Sequence, residues 1–186
     1  IARRQRQMCI RDRLEKGVPP EVLNKAWEEA QQYNANLGDI DPSDAWTSSD
    51  DESSPAYQRY LNYLSVLNET EAMGRIVLPS INSDLPIFHG TSDRVLARGV
   101  GHLYGTDLPV GAPGELGEDG AIPPAPPEGR LSALSAHTGL QNATLWDNLD
   151  QIEKGDPVYV AAAGEKLKYE VRDIEVVTPD KTSLLR

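Results

Sequence analysis

The feature that most constrains the fold is a series of short apolar runs separated by turn residues, which begins after Met73. Runs of this length, bounded by Gly, Pro, Asn or Ser, are typical of β-strands. The last two runs predict a hairpin that turns at Gly164. The runs are GRIVLPSI (74–81), LPIFHG (85–90), GVGHLYG (99–105), RLSALSAH (130–137), DPVYVAAA (156–163) and EKLKYEVRDIEVV (165–177). Many short strands at such close spacing favour a mainly β fold, either a barrel or a sandwich.

Two amphipathic helices are predicted ahead of the strands, over residues 20–37 and 55–68. Proline stands at the start of both, where its missing N–H costs nothing, and Ser54 can cap the second. Shorter helices are predicted at 92–99 and 142–152. The following residues form the apolar stripes of the first two helices: Leu23, Ala26, Trp27, Ala30, Tyr33 and Leu37, then Tyr57, Tyr60, Leu61, Leu64 and Leu67.

The net charge of −11 argues against nucleic-acid binding, which requires a basic face. The single cysteine, Cys9, rules out an internal disulfide. No run of 18 apolar residues is present in the sequence, and no pattern indicates a cofactor. Residues 1–16 are basic and lack an apolar period. They are either a translated sequencing artefact or a genuine basic N-terminal segment.

The stretch DIDPSDAWTSSDDESS, residues 39–54, predicts a loop because it is rich in Asp, Ser and Pro. Eight acidic residues and no basic one lie between Lys25 and Arg59. Such a stretch is either a solvated acidic loop or a functional lid. Trp46 is the one large aromatic residue in it, which indicates docking onto another surface.

The three histidines are His89, His102 and His137. A zinc site would need ligand spacings such as HxH or HxxxH, and none is present. His89 and His102 are therefore interpreted as hydrogen-bonded structural residues near strand ends. His137 ends an alternating strand and precedes a glycine-containing turn, so it is the candidate catalytic residue: a rigid strand end can present an imidazole to solvent.

Three stretches together resemble the class C, pilin-polymerising sortases. They are the run from "MGRIVLPSI" through "PIFHGTSD" and "GVGHLYGT", then "LSAHTGLQNATLWDNLDQIEKGDPVYV", then "GEKLKYEVRDIEVVTPD". The resemblance covers about Met73 to Leu185. It implies a sortase β-barrel over residues 70–186, preceded by a helical segment with a lid loop over residues 1–69.

The resemblance also implies a cysteine transpeptidase that needs no cofactor or metal. Such an enzyme cuts an LPxTG-type sorting signal, forms a thioacyl intermediate, and transfers the product to a lysine amine of the next pilin. His137 matches the family's catalytic histidine. The implied partners are pilin proteins, and the implied location is the outer face of the cell membrane, with a membrane anchor.

Two departures from the family pattern bear on activity. The nucleophilic cysteine of a TLxTC strand and an oxyanion-stabilising arginine are expected after Arg186, so the chain is expected to be an inactive fragment. Family lids often carry Asp-Pro followed by an aromatic residue. Here Asp44 and Trp46 match this pattern with alanine in place of proline, whereas Asp41-Pro42 matches it without the aromatic residue. Asp44 and Trp46 are the preferred lid residues.

Two alternatives remain. One is a sortase-like binding or structural module without catalysis. The other is a carbohydrate-binding β-sandwich, for which exposed aromatic residues are few.

Overall fold

The computed structural model describes residues 17–37, 53–111, 131–138 and 145–178. Its centre is one curled sheet of six strands in the order β4-β3-β2-β1-β5-β6. The strands are β1 (Gly74–Leu78), β2 (Ser83–His89), β3 (Val100–His102), β4 (Leu134–Ser135), β5 (Pro157–Ala162) and β6 (Glu165–Glu170). The helices are α1 (Pro20–Asn36), α2 (Pro55–Ser65) and the short α3 (Asp93–Leu96), and two 3₁₀ turns cover Pro79–Ile81 and Leu149–Gln151.

One pairing in the sheet is parallel. Strands β2 and β3 run side by side, with His89 opposite His102, and the chain crosses between them through α3. All other neighbouring strands are antiparallel. Gly101 of β3 faces the backbone at the end of β2. A methyl group added there would overlap the carbonyl oxygen of Gly90 and lie 3.0 Å from Leu96 Cδ2.

The predicted hairpin is confirmed, because β5 and β6 are joined by the two residues Ala163 and Gly164. Both have positive φ, 45° and 80°. This is the backbone that a tight two-residue hairpin requires, and glycine adopts it without steric cost. Strand β6, however, ends at Glu170 and not at residue 177. The described residues beyond Val171, up to residue 178, form no strand ladder, and Val176 is 98% exposed.

Helices α1 and α2 share one hydrophobic core with the sheet. Ala26, Ala30 and Tyr63 are buried against Ile76, Ile87 and other strand residues. The buried amide of Asn34 anchors α1 to the segment after β3. Its Nδ2 donates to the Leu108 carbonyl at 3.0 Å, and its Oδ1 accepts from the Leu108 N–H at 2.7 Å. The two helices are therefore a wall of the domain core.

The start of α2 was predicted correctly, since Ser54 Oγ accepts from the Tyr57 N–H at 3.1 Å. The helix ends earlier than residue 68, because Val66 is extended and Leu67 is left-handed at φ 56°. The predicted apolar stripe also needs correction. Leu61 is 41% exposed, whereas Tyr63, which the prediction left out, is fully buried.

Two further predictions are wrong in extent. The strand over residues 130–137 forms a ladder only at Leu134–Ser135. The helix predicted over 142–152 is, within its described part, only the 3₁₀ turn Leu149–Gln151. The Trp146 N–H donates to the His137 carbonyl at 3.3 Å. That bond ties Trp146 to the residue two positions after β4, so the local helical periodicity gives way to a contact outside the segment.

Candidate functional site

His137 lies two residues after β4, at one edge of the sheet. The residue is half-buried, and its carbonyl accepts the Trp146 N–H. Its imidazole makes no hydrogen bond to any residue within the described ranges. The backbone of His137 is therefore held by Trp146, while the ring has no hydrogen-bond partner among the described residues. This is the arrangement that a proton-transferring side chain needs.

Backbone hydrogen bonds hold the segment before His137 against the loop that follows β3. The Leu103 N–H donates to the Ala133 carbonyl at 2.9 Å, and the Asp107 N–H donates to the Leu131 carbonyl at 2.8 Å. Strand β4 itself pairs with β3 at Gly101 and His102. The position of His137 thus depends on β3 and its following loop.

His89 and His102 are structural, as predicted. His102 is fully buried, and its Nε2 lies 2.7 Å from the Asp107 carbonyl oxygen while its Nδ1 lies 3.0 Å from Tyr63 Oη. His89 Nε2 lies 2.8 Å from the Val66 carbonyl oxygen. Because a carbonyl oxygen only accepts, His102 carries a proton on Nε2, and the Tyr63 hydroxyl faces both His102 Nδ1 and the His102 carbonyl oxygen, which accepts from it at 3.0 Å.

Burial lowers the pKa of His102 to about 4, and it also lowers the pKa of His89. For both rings the hydrogen bond to a backbone carbonyl opposes this effect. Both imidazoles are therefore neutral in the native protein at pH 7.

The free energy of unfolding should fall as the pH is lowered through His102 titration. The unfolded ring binds a proton near pH 6.5 and the folded ring only near pH 4, so between these values the unfolded state binds more protons. The contribution of His102 to the free energy of unfolding is fully present above pH 6.5. It is lost as the pH falls towards 4, and the loss is about 3 kcal/mol. Urea unfolding at a series of pH values measures the change.

The control for this titration is His102→Gln, which cannot titrate and should show a shallower pH dependence. An NMR titration of the His102 ring in the parent chain gives its pKa directly. A ring that titrates near pH 6.5 in the folded protein would contradict the burial argument.

The zinc alternative finds no support in the described residues. Across residues 17–37, 53–111, 131–138 and 145–178, no group of three His, Cys, Asp or Glu side chains could hold a metal ion. In the same ranges, no helix combines the length and the apolar character needed to cross a bilayer.

Three residues of the sequence hypothesis lie outside the described residues: Cys9 and the lid residues Asp44 and Trp46. Sequence reasoning in turn missed the residues that join the helices and the loop to the sheet, namely Asn34, Tyr63 and Thr106. Helical spacing could have found Tyr63, which lies three and four residues from Tyr60 and Leu67. A buried Asn or Thr leaves no such periodic signal.

Comparison with known proteins assigns this curled, mainly β sheet to a class, the sortase-type domain. The family model described as "Sortase domain" matches residues 76–186, and the chain belongs to the sortase family. Sortase D of Bacillus subtilis (strain 168) is 29% identical over 115 residues, which are 62% of this chain and 48% of that protein. The chain spans about half the length of the curated relatives it matches.

Solved structures show the same fold at higher identity. Sortase C-1 from Actinomyces oris is 44% identical, with 89% of this chain and 82% of that chain covered and a TM-score of 0.70. A lid mutant of sortase A from Corynebacterium diphtheriae is 37% identical, with 90% and 78% covered and a TM-score of 0.69. Sortase C1 of pilus island 1 of group B Streptococcus (GBS) is 33% identical, with 92% and 71% covered and a TM-score of 0.66. The predicted sortase-type fold is confirmed.

Proposed function

We propose that the protein from which this chain comes is a class C sortase. It cleaves an LPxTG-type sorting signal and joins the resulting acyl group to a lysine amine of another pilin subunit. The observation that carries the proposal is the 44% identity to a sortase C-1, which extends over 89% of this chain. The pilus island named for the streptococcal sortase C1 supports pilins as the substrate class.

The proposed chemistry assigns one proton-transfer role to His137. A cysteine thiolate attacks the Thr carbonyl of the sorting signal, the Thr–Gly C–N bond breaks, and a thioester forms. The imidazolium of His137 gives its proton to the departing glycine amine. The neutral imidazole then takes a proton from the incoming lysine amine, which attacks the thioester. The isopeptide bond forms as the C–S bond breaks, and the cysteine thiolate is released. The half-buried position of His137, two residues after β4, supports this role.

We further propose that the nucleophile is not Cys9, the one cysteine of these 186 residues. In the class C sortases that this chain resembles, the nucleophile lies in a TLxTC strand of the barrel and is followed by an arginine that stabilises the oxyanion, and we expect both after Arg186. No residue of the described sheet carries a thiol. These 186 residues by themselves are therefore proposed to be inactive, and the full-length protein is proposed to act at the outer face of the membrane.

Asp44 and Trp46 are proposed to close a lid over the active site. The lid mutant among the structural relatives supports the presence of a lid in this family. The fixed ends of the segment add to this support. Helix α1 is anchored through Asn34, and helix α2 begins at the capped Pro55.

The test is adduct formation by the full-length gene product with an LPxTG-containing peptide. Intact-protein mass spectrometry should show a thioacyl adduct on a barrel cysteine, and replacement of Asp44 and Trp46 should increase its yield. The 186-residue chain is the control and should form no adduct. An adduct on Cys9 would contradict the assignment of the nucleophile. No adduct in the full-length, lid-substituted protein would favour a sortase-like module without catalysis.

A further inference from the structure

Strand β4, which precedes His137, is short and is held by few backbone hydrogen bonds. Only Leu134 and Ser135 form a ladder, and they pair with β3. No strand in the described part of the chain pairs with the other edge of β4. The placement of β4 therefore depends on the contacts made by the residues just before it, on the β3 side.

Within the described ranges, the Thr106 side chain bonds to the backbone of residues 131–138. Its Oγ1 accepts from the Ala133 N–H at 3.1 Å and donates to the Leu103 carbonyl at 2.8 Å. Thr106 is 4% exposed, so water does not replace these bonds easily. Ala133 lies four residues before His137, and the Leu103 N–H donates back to the Ala133 carbonyl at 2.9 Å. Thr106 thus completes a closed set of bonds around Ala133.

Thr106 is itself fixed by a buried chain of side chains that reaches α2. His102 Nε2 lies 3.3 Å from Thr106 Oγ1 and 2.7 Å from the Asp107 carbonyl, so its single N–H is shared between them. The Tyr63 hydroxyl lies 3.0 Å from His102 Nδ1 and accepts from the Gly90 N–H at 3.0 Å. The Tyr63 hydroxyl also donates to the His102 carbonyl oxygen at 3.0 Å, so both the ring and the backbone of His102 face it.

We propose that Thr106 is a positioning residue for His137, and that His102 and Tyr63 fix Thr106 in turn. The relay Tyr63–His102–Thr106–Ala133 connects α2 to the strand that presents the imidazole. The functional meaning of this relay rests on the proposed role of His137. The structural part does not, and it can be measured in the 186-residue chain without any activity.

The experiment compares Thr106→Val, which keeps the shape and removes the hydroxyl, with Thr106→Ser, which keeps the hydroxyl. In Thr106→Val, the Ala133 amide should exchange its hydrogen faster by on the order of tenfold relative to the amides of β1 and β5. The His137 ring resonances should shift in the same variant. Thr106→Ser should restore both readouts.

A merely structural role for Thr106 would give a different pattern. Exchange would then rise by the same factor at Ala133, β1 and β5, and the His137 ring resonances would stay unchanged, which would overturn the proposal. If Thr106→Val does not fold, the parent chain still gives an answer. The Ala133 and Gly90 amides, both bonded to relay hydroxyls, should be protected to a similar degree, and an Ala133 amide that exchanges like an exposed one would refute the relay.

Activity separates this proposal from the proposed function. In the full-length enzyme, Thr106→Val should lower kcat with little change in KM, because the imidazole is misplaced while the peptide still binds. If His137→Ala leaves the enzyme active, the proposed function of His137 fails. The exchange result at Ala133 then still decides whether the relay positions the strand.

Discussion

Gly101→Ala is expected to abolish or nearly abolish the native fold. The added methyl group would overlap the Gly90 carbonyl oxygen and crowd Leu96, and a backbone oxygen within a parallel strand pair cannot move aside as a side chain can. Overpacking a core usually costs about 1–3 kcal/mol of unfolding free energy. Because the overlap here is with backbone, we expect a loss of unfolding free energy above that range, more than about 3 kcal/mol. Urea unfolding followed by far-ultraviolet circular dichroism measures it.

The matched control is Gly155→Ala. Gly155 has φ 93° and no atom within 4 Å of the added methyl group. Its cost is limited to the unfavourable backbone, about 1–2 kcal/mol. A Gly101→Ala protein that unfolds within about 1 kcal/mol of its parent would show that β2 and β3 do not approach each other as described.

His137→Ala in the full-length enzyme should lower kcat/KM for an LPxTG peptide by about 10²–10⁴-fold, the usual contribution of a general acid–base group. The loss follows from the removal of both proton transfers, since neither the departing glycine amine nor the incoming lysine amine keeps its partner. Steady-state kinetics with a fluorogenic peptide and an amine acceptor measures it.

The fold should barely respond to the same substitution. The His137 ring is half-buried and has no hydrogen bond within the described residues, so we expect a change in unfolding free energy below about 1 kcal/mol. His137→Gln keeps much of the side-chain volume without the proton transfer and should be equally inactive. A stability loss well above about 2 kcal/mol, or retained activity, would identify His137 as a structural residue instead.

Local signals in the sequence predicted what depends on local structure. Pro20 and Ser54 marked the helix starts, and Gly164 marked the hairpin turn, because capping and turn geometry involve only neighbouring residues. The structural roles of His89 and His102 were also predicted. The resemblance to a family added the fold, and with it the interpretation of His137.

Long-range contacts explain what the sequence did not reveal. The Trp146 N–H binds the His137 carbonyl, and this bond replaces a helix that the spacing of Leu145, Leu149 and Ile152 had indicated. Tyr63 is buried because His102 and Gly90 lie across from its hydroxyl, and neither partner is near it in sequence. Periodicity reports that a face is buried, but it does not name what covers that face.

The amide pair between Asn34 and Leu108 has a consequence for the order in which the chain becomes structured. The two residues are 74 positions apart, and Tyr63 and His102 are 39 apart. During synthesis, α1 and α2 leave the ribosome before the strands that cover Ala26, Ala30 and Tyr63 exist. Contacts of such high sequence separation slow folding, because loop-closure entropy must be overcome before they form. The apolar faces of α1 and α2 therefore stay exposed until β3 and the loop after it have been synthesised. During this interval the nascent chain is most prone to aggregation.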